Sequence, residues 1–172
     1  GLESTFSLGT QTTTFVRELP PPPEIGLAKQ GVYDANTNTI TWTVNVTPPN
    51  GVPLSGYRLS DNYSSNQAYV ESSFQVNGTG VPDSNLDFAS NSVVYTFPDP
   101  TNGNQIITYQ TSPTTFGGET GANSSAERSN FTNAASILRG TETIKGPVEA
   151  SVAVDWLNKA GAVASASEYV MR

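Results

Sequence analysis

An all-β fold of antiparallel strands is what this sequence predicts, and three observations predict it. Apolar and polar residues alternate with period two in run after run, while the 3.6-residue period of an amphipathic helix is almost absent. Clusters of Gly, Pro, Asn and Asp separate these runs at short intervals. Thr, Ser and Asn are abundant and only 13% of residues are charged, so the solvent-facing side of each run is polar but sparsely charged.

The runs follow in order. In "IGLAKQGVY", Ile25, Leu27, Lys29, Gly31 and Tyr33 share one face, because side chains alternate along a strand. "DANTNT" is the turn into "TITWTVNV", where Ile40, Trp42, Val44 and Val46 face one way and Thr41, Thr43, Asn45 and Thr47 the other. After "TPPNGVP", the run "GYRLSDNY" aligns Tyr57, Leu59, Asp61 and Tyr63. "SSFQVNG", "SVVYTFPD", "QIITYQTSP", "NFTNAASIL" and "EASVAVDWL" continue the pattern, separated by "NGTGVPDSN", "PDPTNGN" and "FGGETGANSS". Regular short strands with such turns predict an immunoglobulin-like antiparallel β-sandwich. The chain has no cysteine, so the sandwich is built without a disulfide.

The 172 residues suffice for one domain with fragments of its neighbours. "ELPPPPEIG" reads as a stiff extended linker, so residues 1–23 form a lead-in segment and Pro-rich linker and residues 24–155 the main module. The triplet pattern Leu27, Lys29, Gly31 recurs as Leu157, Lys159, Gly161. Residues 156–172 are therefore either a last strand or the opening of a next repeat, with Lys159 the equivalent of Lys29.

The charge balance narrows the function. Fifteen acidic and eight basic side chains leave a net charge of −7, which opposes nucleic acid and anionic membrane surfaces as partners. With neither Cys nor His, the chain holds no metal site built on those ligands and no triad that needs them. No apolar run is long enough to span a bilayer, and no signal peptide is visible, so the chain reads as mature or cut from a longer one. No cofactor is called for.

Three polar residues fall on faces that the alternation assigns to the core: Lys29, Asp61, and Asn133 beside Phe131, Ala135 and Ile137. Taken singly, each has a plain explanation. A strand lysine is usually a solvated edge residue, Asn in "TNA" a ladder end, and Asp61 a loop cap. Taken together, they form a reactive set. Burial favours the neutral forms, lowering a lysine pKa and raising a carboxyl pKa. A neutral amine is a nucleophile, and a protonated carboxyl can move protons to a departing ammonia. The product is an amide between Lys29 and Asn133. Should Asp61 be exposed, Asp34 or Asp87 would have to supply the acid.

The runs "LAKQGVYDANTNTITWTVNV", "LSDNY", "SVVYTFPD", "IITYQTSP" and "FTNAASI", in this order over residues 24–155, resemble the repeated β-domains of Gram-positive surface adhesins and pilus-like stalks. These are the collagen-adhesin-like modules that form intramolecular isopeptide bonds. The resemblance implies Lys29 in the first strand, Asp61 in an early-middle strand as proton shuttle, and Asn133 in a late strand. It implies a stalk module at the cell surface or cell wall, a monomer whose partners are neighbouring modules of the same chain. Its self-crosslinking is a single turnover rather than enzyme activity. The rival expectation is a ligand-binding adhesin module, holding a host extracellular protein such as collagen, or a glycan. A third is an accessory β-domain of a secreted polysaccharide-degrading enzyme. Against the usual pattern, "TPPNGVPLSG" carries Pro-Pro where a plainer Asn-containing turn is expected, and no cell-wall sorting motif is present.

Other signals are weaker. "DANTNT" imitates the start of a calcium loop, but Thr39 stands at the glycine position and Asn45 where the bidentate Glu belongs, so it reads as a hairpin turn. The Asp-rich loops around Asp83, Asp87 and Asp99 are poor cation candidates. Trp42, Tyr57, Tyr95, Phe97, Tyr109 and Phe131 read as core.

Overall fold

The computed structural model describes residues 24–116, 119–120, 126–157 and 165–167. The strands are β1 (Gly26–Asp34), β2 (Thr39–Thr47), β3 (Arg58–Tyr63), β4 (Gln67–Tyr69), β5 (Gln75–Val76), β6 (Thr79–Gly80), β7 (Asp87–Ala89), β8 (Ser92–Thr96), β9 (Gln105–Pro113), β10 (Glu119–Thr120), β11 (Ala126–Arg139), β12 (Glu142–Leu157) and β13 (Ser165–Ser167). They form two antiparallel sheets. The first runs β1-β2-β9-β5-β6, with β4 also on β9; the second runs β13-β12-β11-β3-β8-β7, with β10 on β11. This is the immunoglobulin-like sandwich that the alternation predicts.

The reason lies in the period. In β2, Ile40, Trp42, Val44 and Val46 are all fully buried, whereas Asn45 and Thr47 are exposed. β9 does the same with Ile107 and Tyr109, and β11 with Phe131, Ala135 and Ile137. Each sheet thus carries one apolar face, and the two faces meet in a single core. The "DANTNT" segment is the β1–β2 hairpin turn: Asp34 Oδ1 accepts the backbone N–H of Asn36, and Asn38 adopts φ 53°. Among the described residues no helix is long and apolar enough to cross a membrane.

Two elements differ from the sequence expectation. "SSFQVNG" is strand only over Gln75–Val76. Ser72 takes φ 62°, and the Ser73 hydroxyl donates to the Val70 carbonyl, so the chain turns before it can pair. "EASVAVDWL" belongs to a longer strand that begins at Glu142 and passes through Pro147. A proline has no N–H for the ladder, so it requires an irregularity. The β11–β12 register shifts between Ala135 and Ile137, opposite Val148 and Lys145. Gly146 sits in that bulge at φ 99°, where a Cβ would lie 2.6 Å from the Ala135 carbonyl oxygen.

Gly31 sets how closely the sheets approach beside β1. A Cβ built there would lie 2.4 Å from the Trp42 ring and 2.8 Å from a Val152 methyl of the opposite sheet. Trp42 is fully buried and held by its own hydrogen bonds, so it has nowhere to retreat. Gly31→Ala is expected to cost about 1–3 kcal/mol by overpacking. A urea midpoint lowered at unchanged m-value would show it; an unchanged midpoint would mean that Trp42 is free to move.

Of the expected chain divisions, residues 1–23 and Lys159 lie outside the described residues. Residues 156–157 complete β12, and β13 pairs with it through Ala153–Asp155.

Candidate functional site

Lys29 projects from β1 between the sheets and is fully buried. Its neighbours in the first sheet are aromatic. β1 pairs with β2 and β2 with β9, placing Gly31, Trp42 and Tyr109 in one cross-strand row and Lys29, Val44 and Ile107 in the next. The glycine leaves the Trp42 ring room, and the Lys29 ammonium reaches over it. Nζ lies 5.6 Å from the Trp42 ring centroid and 5.7 Å from that of Tyr109.

Asp61 and Asn133 come from the second sheet. β3 and β11 pair so that Tyr63 opposes Asn133 and Asp61 opposes Ala135. Asp61 and Asn133 are therefore diagonal neighbours on one face, the face that meets Lys29. Both are buried, at 0% and 1% exposure. Lys29 Nζ donates to Asp61 Oδ2 at 2.7 Å. Asn133 Nδ2 donates to the Tyr109 hydroxyl at 2.7 Å. The fold thus brings Lys29 and Asp61 into direct contact and ties Asn133 to Tyr109, whose ring also borders the Lys29 ammonium. The other acids considered, Asp34 and Asp87, are exposed.

Burial governs the charges. It lowers the Lys29 pKa against the opposing pull of Asp61, and raises that of Asp61 against the opposing pull of Lys29. Tyr109 is pushed well up, first by burial and then by the Asp61 charge, so its phenol keeps its proton. The neutral pair, Lys29 amine with Asp61 carboxylic acid, is one proton shift along a 2.7 Å hydrogen bond from the ion pair.

Hydrogen bonding in the rest of the core makes a contrast. The Trp42 indole donates to Thr111 and Gln67, Thr111 donates to Gln67 at 2.5 Å, and the Gln67 amide reaches Ser64 and the Thr132 carbonyl. Among the described residues, the buried side-chain polar atoms left without a hydrogen-bond partner are Asp61 Oδ1 and Asn133 Oδ1. Buried orphans are costly and uncommon, so two in one site mark it. Both are oxygens. A proton carried by Asp61 would turn one of these acceptors into a donor.

Tyr109 is the residue that sequence reading assigned to packing alone. A signal was available: a Tyr at a fully buried strand position needs a partner for its hydroxyl, where Phe would not. The other aromatic assignments hold, except that Tyr57 is only half-buried, with Arg139 stacked over its ring at 4.9 Å.

No family model matches the sequence, and no curated protein matches it. Solved structures similar to the chain include the full-length major pilin SpaD of Corynebacterium diphtheriae, at 16% identity and TM-score 0.43, over 80% of this chain and 39% of the pilin. The collagen-binding subdomain of the Enterococcus faecalis surface protein ACE matches at 15% identity and TM-score 0.42, over 91% of this chain and 98% of that one. A collagen-binding domain from a Staphylococcus aureus adhesin matches at 16% identity and TM-score 0.42, over 77% and 97%.

Proposed function

We infer that this chain is a structural module of a bacterial surface adhesin or pilus-like stalk, locked by an isopeptide bond that it forms itself between Lys29 and Asn133. The observation that carries this reading is the buried Lys29–Asp61 pair with Asn133 diagonal to Asp61, the latter two holding the orphaned oxygens. In the reaction, the proton of Lys29 passes to Asp61, leaving a neutral amine. The Nζ lone pair attacks Cγ of Asn133, the Cγ–Nδ2 bond breaks, and ammonia departs. Asp61 returns protonated. The product removes an ammonium from the core and leaves an amide in its place, which is the physical gain.

The link would join the first strand of one sheet to a central strand of the other, closing a loop of about a hundred residues. On the chain-entropy account of cross-links that is worth about 4–5 kcal/mol. A pull on the two ends would pass from β1 through the bond to β11 and spare the strands between. Such a module belongs on the outside of a cell, where load and proteases act and where this cysteine-free chain lacks a disulfide. Its partners would be the modules before and after it. One turnover of self-modification is all the chemistry the site performs.

The surface favours the stalk over a collagen- or glycan-binding face. Among the described residues, the exposed large apolar side chains are Val32, Val52, Phe88, Ile106 and Ile144. Four of them sit on four different strands, β1, β7, β9 and β12, and Val52 sits in the β2–β3 loop, whereas a docking face requires one broad patch.

The test is intact mass. Denatured wild-type protein is expected to weigh one ammonia less than its sequence, and Lys29→Ala its full sequence mass. An unshifted wild-type mass would sink the cross-link.

A further inference from the structure

We propose that Tyr109 is a catalytic residue of this cross-link, its hydroxyl delivering the proton that lets the Asn133 nitrogen leave as ammonia. The proposal rests on the isopeptide reading above and extends it to a residue outside the Lys–Asp–Asn set. Its basis is contact with the leaving atom. The Tyr109 hydroxyl accepts from Asn133 Nδ2 at 2.7 Å, with both residues buried and no water-exposed atom to compete. The same phenol interacts electrostatically with Asp61, and its ring flanks the Lys29 ammonium. Tyr109 thus touches or borders every group in the reaction.

An amide nitrogen is a poor leaving group until it is protonated. In the planar carboxamide, the Nδ2 lone pair is delocalised and Nδ2 can only donate, as it does to Tyr109. When Lys29 Nζ adds to Cγ, that delocalisation ends and Nδ2 gains a free lone pair. The hydrogen bond then reverses: Tyr109 O–H donates to Nδ2, and Asp61 O–H reprotonates the phenolate oxygen. The Cγ–Nδ2 bond breaks as Oδ1 re-forms the carbonyl. Asp61, now a carboxylate, takes the extra proton from the former Lys29 nitrogen. One N–C bond forms, one breaks and one ammonia leaves; Tyr109 ends as it began, and Asp61 keeps the proton that it took from the Lys29 ammonium. The geometry divides the labour: Asp61 is bonded through Oδ2 to the nucleophile, and Tyr109 to the leaving group.

The experiment follows cross-linking in time. Chain assembled by chemical synthesis and ligation, and kept in denaturant throughout, has never folded and carries no bond. It is transferred to native buffer, quenched in acid at intervals and weighed intact. Wild-type protein is expected to lose one ammonia as it folds. Tyr109→Phe keeps the ring and is expected to fold, judged by circular dichroism, but to cross-link about a hundredfold or more slower, the usual scale for loss of a positioned acid. If wild type cross-links and folded Tyr109→Phe matches its rate, the role of Tyr109 is overturned and the isopeptide reading stands. If wild type never loses ammonia, both fall. A second measurement needs no variant. The wild-type rate in mixtures of H2O and D2O is expected to bow with deuterium fraction, because two protons move together. A linear dependence would mean that a single proton moves in the limiting step and would overturn the proposal.

Discussion

Asn133→Ala is expected to melt about 10–20 °C below the wild-type protein. The proposed link would close about a hundred residues and contribute about 4–5 kcal/mol by restricting the unfolded chain. For a protein of this length each kcal/mol moves the midpoint by about 2–4 °C. The variant keeps Lys29 and Asp61, so the buried pair of 2.7 Å survives and the loss is chiefly that of the link. A cross-linked chain would also expose less surface when it unfolds, because its denatured state would be tethered. Wild type should therefore show a smaller urea m-value than Asn133→Ala. Melting by circular dichroism and urea titration would read both. Midpoints within a few degrees of each other, at equal m-values, would mean that no tether exists in the unfolded state.

Lys29→Met would remove the proposed bond and strand Asp61 as well. Taking one partner from a buried ion pair costs about 3–5 kcal/mol. The cost depends on pH, and its direction follows from Asp61. Burial raises the Asp61 pKa above the ordinary 3.8 even with Lys29 beside it, and Lys29 is what pulls it down. Without Lys29 it rises further. Between 3.8 and that raised value the folded chain holds a proton that the unfolded chain has released. The stability tied to that proton is whole below 3.8 and is lost as pH climbs through the folded pKa. Lys29→Met should accordingly melt higher at about pH 4 than at about pH 8. Adding Asp61→Asn should flatten the profile and recover stability at neutral pH. A flat profile in Lys29→Met alone would mean that Asp61 has escaped to solvent.

Much of the site was legible because burial by face is a local property. Alternation places Lys29 with Ile25, Leu27 and Tyr33, and places Asn133 with Phe131 and Ile137, whatever the strands pair with. The same alternation distinguishes Asp61, on a core face, from Asp34 in a turn. It does not reveal that Tyr109 has a chemical partner, because packing and hydrogen bonding ask for the same position. Nor does it foresee Phe74, a core residue held in a loop, since "SSFQVNG" alternates as well as any true strand.

The sequence by itself determined the class of fold, the hairpin at Asp34–Asn38, and the inward direction of three polar side chains, Lys29, Asp61 and Asn133. All of these depend on residues close together in the chain, on period two and on turn chemistry. Only the tertiary structure decided that Lys29 meets Asp61 across the two sheets, that Asn133 lies diagonal to Asp61 through the β3–β11 register, and that Tyr109 stands between them. It also decided that Gly31 must be glycine, because Trp42 and Val152 close on it from two sheets. Side-chain direction repeats every two residues along one strand. Which rows face one another across a sandwich depends on register, twist and sheet spacing, and those are set by the whole core at once.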